Sequence, residues 1–224
     1  MSANFVHLRF HSEYSIQDGI VRLDPILEEV MQQGGVALGI TDSMNLFGAL
    51  RFYSHAIADG IKPIVGCDLW ITNAVHGKRD NPYRLTVYCQ NHEGYLSLCE
   101  LLSRGWMENQ YLGRGEVRLE WLTLENCKGL ICLSGGPQGV IEQHLLEDNK
   151  GEAQVALEQL RAAFPGRFYL EVQRAGRKND EAVVAHIAEL AVETGLPMVA
   201  THPVQFLHRE DFNAHEVRCC IAGG

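Results

Sequence analysis

Residues 167–201, RFYLEVQRAGRKNDEAVVAHIAELAVETGLPMVAT, decide the fold class. Arg167–Val172 is rich in aromatic and branched residues and predicts a strand, as does Pro197–Thr201. Between them, Asn179 stands where it can cap a helix, and Asp180 and Glu181 suit the positive end of its dipole. Val183, Val184, Ile187, Leu190 and Ala191 recur at helical spacing, and Gly195 followed by Pro197 stops the run. Strand, helix and strand in that order call for two parallel strands joined by a helical crossover.

The same alternation extends in both directions. Further strands are predicted at Phe5–Phe10, Val36–Thr41, Lys62–Ile71, Arg84–Cys89 and Gly129–Ser134. Asp24-Pro25 opens a helix, with Asp24 as the capping carboxylate and Ile26, Leu27, Val30 and Met31 on one face. His92–Trp106 reads as helical. Gly151–Phe164 reads as another helix, with Val155, Leu160, Ala163 and Phe164 turned inward. No repeat, linker or low-complexity stretch divides the chain. The expectation is one α/β domain over residues 1–224, its parallel sheet closed or nearly closed into a barrel. The ending, His215–Gly224, is a helical pattern that stops abruptly and reads as part of something longer.

Composition narrows the function classes. The 224 residues are 46% hydrophobic and 21% charged, enough to bury a substantial core. There is no apolar run of the ~20 residues a membrane span needs, and no secretory signal pattern at the N-terminus. Seven cysteines lie without CxxC spacing and read as reduced, mostly buried thiols of a cytoplasmic protein. The net charge of −9 argues against a phosphate-gripping surface. The densest basic stretch, Arg174–Lys178, reads as a solvated loop.

Barrels of this type collect function at the C-terminal ends of their strands. Those positions carry Arg9, His11 and Ser12, then Asp18, then Asp42 and Ser43, then Asp68, Arg84, Ser134 to Gly136, and His202 to Gln205. Arg9 and His11 face the same side of a strand. A histidine pair there would chelate a cation, but an arginine has no lone pair to give. His11, Asp18 and Asp68 are ligand types, and His202 is a fourth. Taken alone, the set reads better as satisfied polar groups lining a barrel mouth. His7 reads as a core or edge histidine, Trp70 and Trp106 as packing residues, and His208 and His215 as groups that cap or bridge the last helix.

Phe5–Gly19, Gly39–Gly48, Gly60–Asp68, Gly94–Leu98, Gly129–Gly135, Pro197–Thr201 and Asp211–Val217 together resemble the PHP (polymerase and histidinol phosphatase) domain of bacterial polymerase III alpha subunits. The likeness runs in order over nearly the whole chain. It implies a PHP-type distorted (β/α)7 barrel related to the TIM barrel. Members with an intact site hold a cluster of metal ions. His11 and Asp18 stand where the family has His and Asp, and Asp68 stands where it commonly has Glu. The other positions depart from the pattern. Arg9, Ser43 and Arg84 each replace a His, Gly136 falls where a Cys is expected, and Pro203 and Gln205 fall where Asp and His are expected.

The resemblance therefore implies a degenerate site with no metal of its own. Losing the cations leaves uncompensated carboxylates, so Arg9 and Arg84 are expected to pair with Asp18, Asp42 or Asp68 and replace the metals structurally. The resemblance also implies a structural module of the replicative polymerase that docks the proofreading exonuclease (epsilon) subunit and joins the polymerase domains of the same chain. Those domains would use Mg2+ for nucleotidyl transfer; this segment would need no cofactor and touch neither nucleic acid nor membrane. The alternative is a metal-dependent phosphoesterase or 3′–5′ exonuclease working through a residual site of His11, Asp18, Asp68 and His202.

Overall fold

The computed structural model describes residues 5–75 and 77–223. They form two compact units: residues up to 67 together with 202 onward, and residues 68–201.

In the first unit, α1 (Leu23–Gln32) precedes β1 (Ala37–Ile40), α2 (Ala49–Ala58) and the beginning of β2 (Lys62–Ile71). β1 and β2 pair in parallel, Ala37 opposite Lys62 and Ile40 opposite Val65. The expected first strand exists as a run of single bridges rather than a regular strand. Gly39 N–H donates to the His7 carbonyl and Thr41 N–H to that of Phe10 on one side. On the other, His11 N–H donates to the Val204 carbonyl and Val204 N–H to that of Arg9. Phe10, Leu27, Leu38, Ile40, Phe52 and Ile61 form the core of this unit.

Asp24 does not cap α1. The helix starts at Leu23, which places Asp24 inside the first turn. Its carboxylate instead pairs with Arg51 at 3.2 Å and with His55, both on α2.

In the second unit, the rest of β2 is followed by β3 (Tyr83–Cys89), α3 (His92–Glu108) and a small hairpin of β4 (Gln110–Tyr111) and β5 (Arg114–Gly115). Then come β6 (Leu130–Leu133), α4 (Val140–Leu146), α5 (Lys150–Ala163), β7 (Phe168–Gln173), α6 (Asp180–Thr194) and β8 (Met198–Thr201). The sheet order here is β2-β3-β6-β7-β8. β7 and β8 are parallel, Leu170 opposite Met198, as the spacing around α6 requires. β3 departs from the parallel expectation and runs antiparallel to β6. Among the described residues, the connection from β2 to β3 (72–75 and 77–82) contains no helix, unlike the β6–β7 and β7–β8 connections of the parallel strands.

Two helix readings change in detail. Asn149 caps α5, but Val155 points outward at 62% exposure; Ala153, Ala156, Leu157 and Leu160 make the buried stripe. Asn179 makes no capping bond with its side chain. Asp180, the first residue of the helix, instead ties down the loop before it, its Oδ2 accepting from the N–H groups of Ala175 (2.7 Å) and Arg177 (3.0 Å). The chain finishes with α7 (Phe212–Gly223), in the first unit. No helix among the described residues is long and apolar enough to cross a membrane.

Candidate functional site

In the first unit, the bridged segment 7–11 fixes the backbone of Arg9 and His11, and both side chains are buried. A tight loop then brings Asp18 back to His11. Ser15 N–H donates to the Ser12 carbonyl and Gly19 N–H to that of Ser15. A Cβ at Gly19 would stand 1.7 Å from the Ser12 carbonyl oxygen, so only glycine permits this closure.

The loop gives Asp18 three donors. His11 Nδ1 lies 2.9 Å from Oδ2, Ser15 Oγ–H donates to Oδ1 at 2.8 Å, and Gln205 Nε2–H donates to Oδ2 at 2.8 Å. Gln205, read from sequence only as a lost ligand, is thus a positive element of the site. Its amide meets the carboxylate oxygen that His11 also faces.

Asp42 orients the Ser12 backbone and hydroxyl. Its Oδ1 accepts from Ser12 N–H and its Oδ2 from Ser12 Oγ–H, each at 2.7 Å. Burial pushes its carboxyl up to about 6, against the lowering effect of the Ser12 bonds. Ser43 N–H donates to Ser15 Oγ at 3.1 Å, and the Ser43 carbonyl accepts from Asn45. Pro203 is half-buried and His202 exposed. His7 is half-buried, and burial first, then His202, holds its imidazole below the ordinary range.

In the second unit, the reversed direction of β3 matters. It places Arg84, at the start of that strand, beside Gly139, with which it forms a parallel bridge. A Cβ on Gly135 would sit 2.0 Å from the Arg84 carbonyl oxygen, so the turn after β6 packs directly on this backbone. The Arg84 guanidinium lies over the Trp70 ring at 3.4 Å from its centroid, so Trp70 supports a cation as well as packing. Asp68 is fully buried and accepts from Thr86 Oγ1–H at 2.6 Å. Gly136 has a left-handed φ of 61°, and a Cβ there would come within 3.1 Å of the Gln173 side chain.

Sequence reasoning missed a buried polar cluster at the end of β6 and β7. Ser134 Oγ bonds the Glu142 carboxyl and accepts from Glu171 N–H at 2.8 Å. Glu171 accepts from Gly135 N–H at 3.2 Å, from Gln173 Nε2–H at 3.0 Å and from Thr201 Oγ1–H. Burial drives the Glu142 carboxyl well above the ordinary glutamate range, and Glu171 adds to the effect. The available signal was glycine density: a Cβ at Gly139 would stand 2.0 Å from Glu142 Oε2.

The PHP domain model matches residues 7–175. The chain belongs to the PHP domain family. Solved structures agree on the fold. An amidohydrolase from Chromobacterium violaceum, determined with bound sulfate and no metal, superposes with a TM-score of 0.61 at 14% identity, covering 96% of this chain and 97% of that one. A putative metal-dependent phosphoesterase from Bifidobacterium adolescentis gives 0.61 at 9% identity, covering 95% and 96%. Both likenesses establish the PHP-type α/β fold.

Among sequences, this PHP chain is 42% identical over 225 residues to DNA polymerase III subunit alpha of Pseudomonas fluorescens. It is 43% identical over 222 residues to that of Neisseria meningitidis serogroup A and 38% over 220 to that of Escherichia coli K12. The alignments take in 98–100% of this chain but only 19% of each relative, so it spans about one fifth of their length.

Proposed function

We propose that this PHP domain serves the replicative polymerase as a structural module, with its ancestral metal site converted to a protein-only polar network. Nucleotidyl transfer would reside in the other four fifths of a chain like its relatives, where Mg2+ would serve the chemistry.

The observation that carries this reading is the Asp18 carboxylate. Three protein donors engage it, and one of them is Gln205, whose position the family resemblance would give to a metal-binding histidine. The donor set does not fit a metal cluster. Arginine, serine, glycine, proline and glutamine side chains occupy six of the positions in question, namely Arg9, Ser43, Arg84, Gly136, Pro203 and Gln205. Among the described residues, no group of three or more His, Cys, Asp and Glu side chains is placed to hold an ion.

Arg9 and Arg84 replace cations in this account. Their exposures of 6% and 8% support this reading over one in which both guanidinium groups reach into solvent. A buried guanidinium demands compensating negative charge, and buried Asp42 and Asp68 demand positive charge once ionised. The phosphoesterase reading draws support from the names of fold neighbours, but those share only 9–14% of residues and speak to fold alone.

The module would also dock the proofreading exonuclease subunit. The test is binding of that subunit, taken from one of the related bacteria, to the chain before and after exhaustive chelation. Equal affinity in both states is expected. Loss of binding on chelation would contradict the protein-only site, and a folded chain that fails to bind in either state would remove the docking role.

A further inference from the structure

α2 carries two apolar faces, and the core of the first unit takes up one of them. Ala49, Phe52 and Ala56 are buried, Phe52 completely. Leu50, Tyr53 and Ile57 make a second stripe, and at about 100° per residue they fall within an arc of about 60°. They are 79%, 50% and 55% exposed, and Phe47, just before the helix, is 68% exposed. A surface helix ordinarily turns polar residues outward. Here the charged groups stay off the stripe. Arg51 and His55 lie on the other flank of the helix, where both pair with Asp24 of α1.

We propose that this stripe is the face through which the domain packs against the polymerase portion of its own longer chain. The proposal rests on the structural-module reading and names the surface that the module uses. Grouped apolar side chains left open to water mark interaction sites, because covering them removes apolar area from solvent. The matching surface should be apolar, with one hydrogen-bonding group for the Tyr53 hydroxyl.

The relatives select this occupant. They are polymerase III alpha subunits of which the chain spans 19%, so a domain of this kind has about four fifths of a subunit to lie against. Interfaces between domains of one chain bury about 600–1,500 Å2, and the covalent link supplies an effective concentration on the order of millimolar. A second copy fits less well. The ten residues of α2 extend about 15 Å, whereas a stable interface between separate chains needs about 800 Å2 from each partner.

The experiment joins this chain to the remaining four fifths of the Pseudomonas fluorescens subunit, with the photo-cross-linker p-benzoylphenylalanine in place of Leu50. Primer extension reads the module, and the cross-link reads the face. Irradiation is expected to link position 50 to a peptide of the polymerase portion. An active chimera that gives no such link, or links only to a second copy or to added exonuclease subunit, would overturn the assignment and leave the module reading standing. If the chimera extends no primer, the same probe at the aligned position of the intact P. fluorescens subunit decides between these outcomes. In the 224-residue chain, Leu50→Lys should keep the unfolding midpoint within about 2 °C. A larger fall would place Leu50 in the domain's own core and overturn the proposal as well.

Discussion

Asp42→Ala is expected to unfold at a midpoint on the order of 10 °C below Asp42→Asn. Both variants are neutral, so the comparison isolates hydrogen bonding from charge. Asn retains an acceptor for Ser12 N–H and can donate to Ser12 Oγ, whereas Ala leaves both buried Ser12 groups unmet. Each orphaned group costs about 1–3 kcal/mol.

The wild-type chain should add a pH signature. The Asp42 carboxyl is raised to about 6 in the folded protein from an ordinary value of 3.8. A raised folded value means that its stabilising contribution is complete below the ordinary range and is lost as pH climbs through about 6. The loss is on the order of 3 kcal/mol, and Asp42→Asn should abolish it. Calorimetry at a series of pH values reads both effects; equal midpoints for the Ala and Asn variants would refute the role given to Ser12.

A second large effect is expected at Glu142. The folded protein keeps this carboxyl protonated well above the ordinary glutamate value, while the unfolded chain releases the proton. The unfolded state therefore binds fewer protons, and stability falls as pH rises beyond about 4.5, by about 1.4 kcal/mol per pH unit. The fall ends at the folded value. Glu142→Gln preserves an acceptor for Ser134 and cannot ionise, so its stability profile should be flatter by about one proton. Urea unfolding at several pH values measures the slope. A wild-type slope equal to that of the Gln variant would show that Glu142 ionises freely in the folded state.

Much of the scaffold was legible because strands and amphipathic helices repeat with fixed periods. Lys62–Ile71 was read to the residue, and Pro197–Thr201 to within one. The helix ends were read less well. Asp24 and Asn179 have capping chemistry, but neither α1 nor α6 has a side-chain cap bond: Asp24 falls inside the first turn and pairs with α2, and Asn179 stands at the N-cap without bonding through its side chain. The direction of β3 was illegible, since a run such as Tyr83–Cys89 carries no mark of which way it pairs.

The site was legible in part for a related reason. His11 and Asp18 are recognisable by type, and their contact follows from the loop between them. Gln205 comes from 187 residues further along, and only folding reveals that its amide serves Asp18. Glu142 and Glu171 resemble solvated surface residues in sequence because a glutamate on a helix or strand is usually exposed. Their burial is imposed by the glycine-rich turn at Gly135–Gly139, whose backbone approaches too closely for side chains.

Elemental analysis of untagged protein tests the central claim most directly. Wild-type His11 and His11→Ala chains should carry the same substoichiometric traces of zinc, manganese and iron. A full equivalent of any of these metals in the His11 chain, lost in His11→Ala while the fold persists, would contradict the protein-only site.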